Sequence, residues 1–144
     1  MSEEETPTTE TLRRARLFWK QSGQDLKEAR RQLRGGGCLE SGYFSLQAAL
    51  NALSAVCYLH GHVQLPQSST LRMLALCRVE DARFHQLDEA CMALEEAAEQ
   101  NPFIAPTDED GGKAAAKARL EQSTTIIKTV RTYLKDNRRR FFAP

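Results

Sequence analysis

No stretch of this chain comes near the ~20 consecutive apolar residues that a bilayer-spanning helix needs, so no membrane span is expected. The first residues include Glu3, Glu4 and Glu5 with no apolar segment behind them, which does not fit a secretory signal peptide. An excess of one charge is lacking too. Twenty Lys and Arg face nineteen Asp and Glu, a formal net charge of +1, so no global field draws the protein toward nucleic acid or an anionic membrane. The four cysteines, Cys38, Cys57, Cys77 and Cys91, form no C-x-x-C pair, and no Cys/His cluster has zinc-finger spacing. A disulfide framework and a structural zinc are therefore not expected, and a reducing cytoplasm is the expected location. Phosphate-cradling glycine loops, H-E-x-x-H and a glycine-flanked nucleophilic serine are all missing. No cofactor and no metal are expected.

What is present is helical periodicity. The 144 residues are 41% hydrophobic and 27% charged, an ordinary balance for one globular core. Leu12, Ala15, Phe18 or Trp19, Ser22, Leu26, Ala29 and Leu33 recur every three or four positions and predict a helix from about Thr9 to Arg34, stopped by Gly35-Gly36-Gly37. A second helix, from about Leu39 to Leu59, carries few charges and reads as the most buried. A short third helix follows Ser68 or Ser69 through Leu76. A fourth is expected from about Val79 to Gln100, and a last one from about Lys113 to Asp136. No period-two strand pattern appears. The expected fold is all-α: an antiparallel up-down bundle of four long helices plus one short one. Its expected organisation is a leader at 1–8, one domain over 9–136 and a basic, aromatic tail at 137–144 holding Arg138, Arg139, Arg140, Phe141 and Phe142.

Three pieces of this pattern resemble one known family. The first helix holds Phe18-Trp19 followed by Asp25-Leu26-Lys27-Glu28-Ala29. The second reads Phe44-Ser45-Leu46-Gln47-Ala48-Ala49-Leu50-Asn51-Ala52-Leu53, then His60-Gly61-His62 and Pro66. A loop, Asn101-Pro102-Phe103-Ile104-Ala105-Pro106-Thr107-Asp108, precedes the last helix. In this order, from about Leu12 to Leu134, the elements resemble the HEPN family of small helical bundles. That resemblance implies a homodimer, a small nucleotidyltransferase as partner, a stress-response or toxin–antitoxin setting, and in some members ribonuclease activity through an R-x4-6-H motif.

Arg78 and His85, with six residues between them, fit that motif formally. In such an enzyme His85 would act as general base on a ribose 2′-hydroxyl and Arg78 would stabilise phosphate charge. With fourteen arginines in the chain, one such pairing is expected by chance, and Val79 stands where the family places a polar residue. On one continuous helix the two would lie about two turns, roughly 10 Å, apart along the axis. Glu80, Asp81, Asp88 and Glu89 nearby would repel phosphate. The reading adopted is therefore a non-catalytic interaction domain that binds a partner protein or nucleotide, with the metal-independent ribonuclease as the alternative.

Other constellations have plainer readings. Arg13, Arg30 and Arg34 are candidates for nucleotide or RNA binding along the first helix, or else its solvated face. Phe18, Trp19, Tyr43 and Phe44 suit base stacking or, more simply, packing. His60 and His62 lack a third ligand and read as a solvated loop. Asp108, Glu109 and Asp110 read as a soluble acidic loop. The second helix has apolar residues on more than one side. One side, with Leu46, Leu50, Leu53 and Val56, faces the core; Phe44, Ala48, Ala52 and Ala55 form the expected dimer face. DNA binding has no support.

Overall fold

Thr8 starts the first helix by satisfying its free amide ends. Its hydroxyl accepts from the Thr11 amide at 3.1 Å, and its own amide donates to the Thr11 hydroxyl at 2.7 Å, a reciprocal cap. Glu10 in the first turn and Arg31 and Arg34 in the last suit the helix dipole. This computed structural model describes residues 7–99 and 112–142. Glu3, Glu4 and Glu5, and the loop with Pro102, Phe103 and Asp108 to Asp110, lie outside the described residues.

Helix α1 runs Thr9–Arg34 and buries Leu12, Ala15, Ser22, Leu26 and Ala29. Gly36, at φ +85°, takes the left-handed turn that an L side chain resists, and α2 (Cys38–Leu59) follows directly. The two helices run antiparallel. Ser41 Oγ donates to the Ala29 carbonyl at 2.8 Å, and Asn51 Nδ2 donates to Asp25 Oδ2 at 2.7 Å. Gln21 Nε2 donates to the other Asp25 oxygen at 2.9 Å, so this buried carboxylate is answered by two amides.

From Ala48 to Leu59 almost every side chain of α2 is buried, because α1, α3 and α5 all pack on it. Helix α3 spans Thr70–Glu80 and is capped by Ser69, whose hydroxyl accepts from the Arg72 amide at 3.2 Å. The expected short third helix and long fourth helix are redistributed. Asp81 adopts an extended backbone and its carboxylate accepts from the Arg83 amide at 2.8 Å, which ends α3. A 3-10 segment, Ala82–Leu87, then drives Phe84 and Leu87 into the core. Helix α4 is only Asp88–Glu99.

Helix α5 covers Lys113–Asp136 and buries Ile126, Ile127, Val130, Tyr133 and Leu134. Thr124, Thr125, Thr129 and Thr132 each turn the hydroxyl back onto the carbonyl four residues earlier, which satisfies it within the helix. Gly42 of α2 lies against Arg119, and His60, just after α2, lies against Tyr133. Helices α2 and α5 therefore run the same way, and their C-terminal ends meet that of α3 at one end of the molecule.

Residues 137–142 of the expected tail include structured positions. A helical turn, α6 (Arg138–Phe141), buries Phe141, and Arg16 Nη1 donates to the Phe141 carbonyl at 2.9 Å. The burial of one aromatic ring outweighs the solvation of the charges around it. All secondary structure among the described residues is helical, and no helix there is long and apolar enough to cross a membrane.

Candidate functional site

The break at Asp81 decides the geometry of the Arg78/His85 pair. Because the chain turns there, the two residues are not separated by two helical turns. Arg78 Nε donates to His85 Nδ1 at 3.2 Å, and Arg78 Nη1 donates to Asp88 Oδ1 at 2.9 Å. In that contact the guanidinium N–H is the donor and the ring nitrogen the acceptor. The pair lies on the exposed surface, with His85 and Asp88 both open to solvent. Of the acids expected to repel phosphate, Asp88 binds Arg78 directly, while Asp81 binds Arg83 at 3.0 Å.

A second cluster was not legible as one. His60 follows the apolar run that closes α2, and its side chain is only 9% exposed. Its Nε2 meets the Tyr133 hydroxyl. Its Nδ1 lies 3.1 Å from Glu80 Oε2 and 3.2 Å from Arg140 Nη1. One nitrogen cannot donate to the carboxylate and accept from the guanidinium at once. With the proton on Nδ1, the ring donates to Glu80 and accepts from Tyr133; with it on Nε2, the ring accepts from Arg140 and donates to Tyr133. The cluster thus admits either tautomer of His60 and joins the ends of α2, α3 and α5 to α6. His60 is a packed, engaged residue and not part of a solvated loop.

Its surroundings set its titration. Burial pulls the His60 pKa below its ordinary value, Glu80 pushes the other way, and Arg140 and His62 lower it further. Tyr133 is pushed up to about 12, by burial first and then by Glu80, so its hydroxyl stays protonated. Phe84 packs edge-on against the Tyr133 ring at 5.1 Å between centroids, and the Arg83 guanidinium lies over that ring at 5.3 Å. Since the folded ring binds its proton less readily than the unfolded one, the unfolded chain takes up more protons below the ordinary value of 6.5. This contribution to stability is complete above 6.5 and is lost as pH falls toward the lower folded value. Urea midpoints measured from pH 8 to pH 5 should fall across that window in wild type, and His60→Gln should flatten the fall. Equal slopes in both proteins would refute this account.

The remaining candidates separate in space. Arg13 pairs with Glu10 at 2.8 Å. From Arg13 to Arg30 is about 25 Å of helix at 1.5 Å per residue, so Arg13 lies near one end of α1 and Arg30 and Arg34 near the other. Phe18 packs on Tyr58 with ring centroids 5.0 Å apart, and Trp19 packs against the core. Ala48, Ala52 and Ala55 are fully buried within the single chain, and Phe44 is half-buried. The three alanines of the expected dimer face are therefore covered by the chain's own helices, because α2 sits in the middle of the packing. The cysteines are free thiols; Cys57 and Cys77 approach to 3.9 Å between sulfurs. Burial raises the Cys77 thiol well above its ordinary value and raises Cys91 to about 12, so neither is a nucleophile near neutral pH. Among the described residues no group of three His, Cys, Asp or Glu side chains is placed to hold a metal ion.

Tyr133 was the residue most open to detection: it falls in step with Ile126 and Val130 on the buried face of α5. Its pairing with His60, 73 residues away, has no local signal. No protein-family model matches the chain, nor does any curated protein or any solved structure.

Proposed function

We propose that this chain is a non-catalytic, HEPN-like interaction domain. In this reading its four longer helical stretches form an antiparallel up-down bundle that binds a partner protein or nucleotide, in a system linked to a small nucleotidyltransferase or to stress response. The observation that carries the non-catalytic part is the state of Arg78. Its guanidinium is already engaged by Asp88 at 2.9 Å on an open surface, so a phosphate would have to displace a carboxylate to reach it.

A second reading has one observation in its favour, the 3.2 Å contact of Arg78 with His85. A metal-independent ribonuclease needs its base and its phosphate-binding cation this close. Incubating the protein with RNA in the presence of a chelator separates the two. Under the first reading, cleavage stays at background for wild type, Arg78→Ala and His85→Ala alike. Robust cleavage that both substitutions abolish overturns it and establishes the second.

The resemblance also leads us to propose a homodimer. A second copy would use side chains other than the buried alanines. Leu39 and Tyr43, exposed at the start of α2, border a shallow apolar groove with Leu46 and Leu94. Sedimentation equilibrium at micromolar concentration should show a dimer; monomer alone refutes it.

A further inference from the structure

The end of the molecule where α2, α3 and α5 terminate combines two features that the overall charge conceals. The first is exposed apolar surface. Val79 is 82% exposed, Phe142 68% and Val63 57%, and they rank among the most exposed large apolar side chains described. They belong to one neighbourhood. Val79 precedes Glu80, Val63 follows His60 by three residues, and Phe142 follows Arg140 by two, while Glu80 and Arg140 both meet the His60 ring.

The second feature is positive charge. Lys135, Arg138, Arg139 and Arg140 are exposed here and, with Asp136 and Asn137, line one open groove. Two acids of this end are answered: Arg83 holds both Asp81 and Asp136. The buried Phe141 and the Arg16 contact fix α6 to the body, so Arg138, Arg139 and Phe142 are presented on a packed base. Arg16 is used on the Phe141 carbonyl and Arg140 on the His60 ring. Arg138 and Arg139 are exposed, as are Val79, Val63 and Phe142.

We infer that this end of the molecule docks on the surface of an anionic lipid bilayer, with Arg138, Arg139 and Lys135 among the phosphate headgroups and Phe142, Val79 and Val63 in the interfacial layer. Basic side chains gain affinity near an anionic leaflet, and apolar side chains gain it by leaving water for the acyl boundary. A single-stranded nucleic acid would use the arginines and could stack on Phe142, but it has no place for the exposed valines. Such peripheral docking needs no spanning helix and is compatible with a net charge of +1, because the charge is unevenly placed. The inference is independent of the HEPN-like reading.

The test is flotation of the full chain with vesicles of phosphatidylcholine alone and with vesicles that also contain phosphatidylglycerol. The expected result is binding to the anionic vesicles only, weakened by high salt. The double substitution Arg138→Glu/Arg139→Glu should lower partitioning at least about tenfold. Val79→Ser/Phe142→Ser should lower it at unchanged charge. All four side chains are exposed, and circular dichroism checks that both variants keep their helices. No binding to anionic vesicles, equal binding to neutral ones, or binding indifferent to both variants overturns the inference. So does capture of a single-stranded RNA oligonucleotide through Arg138 and Arg139 without vesicle binding, which would assign the surface to nucleic acid.

Discussion

Phe84→Ala is expected to cost about 3–5 kcal/mol of folding free energy, at the upper end for a single core truncation. The ring is fully buried although it sits in a short 3-10 segment and not in a long helix. It packs edge-on against Tyr133, directly beneath the His60 cluster, so its loss removes both apolar burial and an aromatic pair. The Asp81 cap starts the segment that carries it, and the buried Phe84 and Leu87 side chains fasten that segment to the body. Urea unfolding followed by circular dichroism measures the cost. Val79→Ala, at a position 82% exposed, serves as the control and should stay within about 0.5 kcal/mol of wild type. A cost below about 1 kcal/mol for Phe84→Ala would mean that the segment does not plug the core.

Phe84 also shows where reading the sequence succeeds and where it stops. The expected limits of α1 and α5 coincide with those found, Thr9–Arg34 and Lys113–Asp136, and α2 begins one residue earlier than expected. These helices are long, and clear stop signals or loop residues bound them, so periodicity has many positions over which to declare itself. Between Thr70 and Glu99 it misleads. Leu87, Cys91 and Leu94 recur at helical spacing, as does Phe84, and all four are buried. Yet Asp81 caps the residues after it and does not continue the helix, so one apparent helix is a 3-10 segment followed by a shorter α4. The same break brings Arg78 onto His85, which spacing on a continuous helix forbids. Phe141 is the converse case. Three arginines before it suggest a solvated tail, and only the contact with α1 reveals it as core. The His60 cluster draws on four elements distant in sequence, so no local window contains it.

Leu53→Ala is expected to cost about 2–5 kcal/mol, and it probes the centre of the structure where Phe84→Ala probes one end. Leu53 has no solvent exposure, and its carbonyl lies 3.7 Å from the Cys77 sulfur of α3, so it sits where α2 and α3 press together. The size of the loss depends on how far the neighbours can close the space. Here they have little freedom: Ala49, Ala52 and Val56 around it on α2 are themselves small and buried, and α2 is covered by α1, α3 and α5. That places the expected cost in the upper half of the range. Domains of this kind have about 5–15 kcal/mol of stability, so the variant should still fold cooperatively at 25 °C, with an unfolding midpoint well below that of wild type. Leu17→Ala, on the exposed side of α1, should change the midpoint little. A Leu53→Ala cost under about 0.5 kcal/mol would mean that the buried face of α2 lies elsewhere, and with it the placing of Ala48, Ala52 and Ala55 inside the chain.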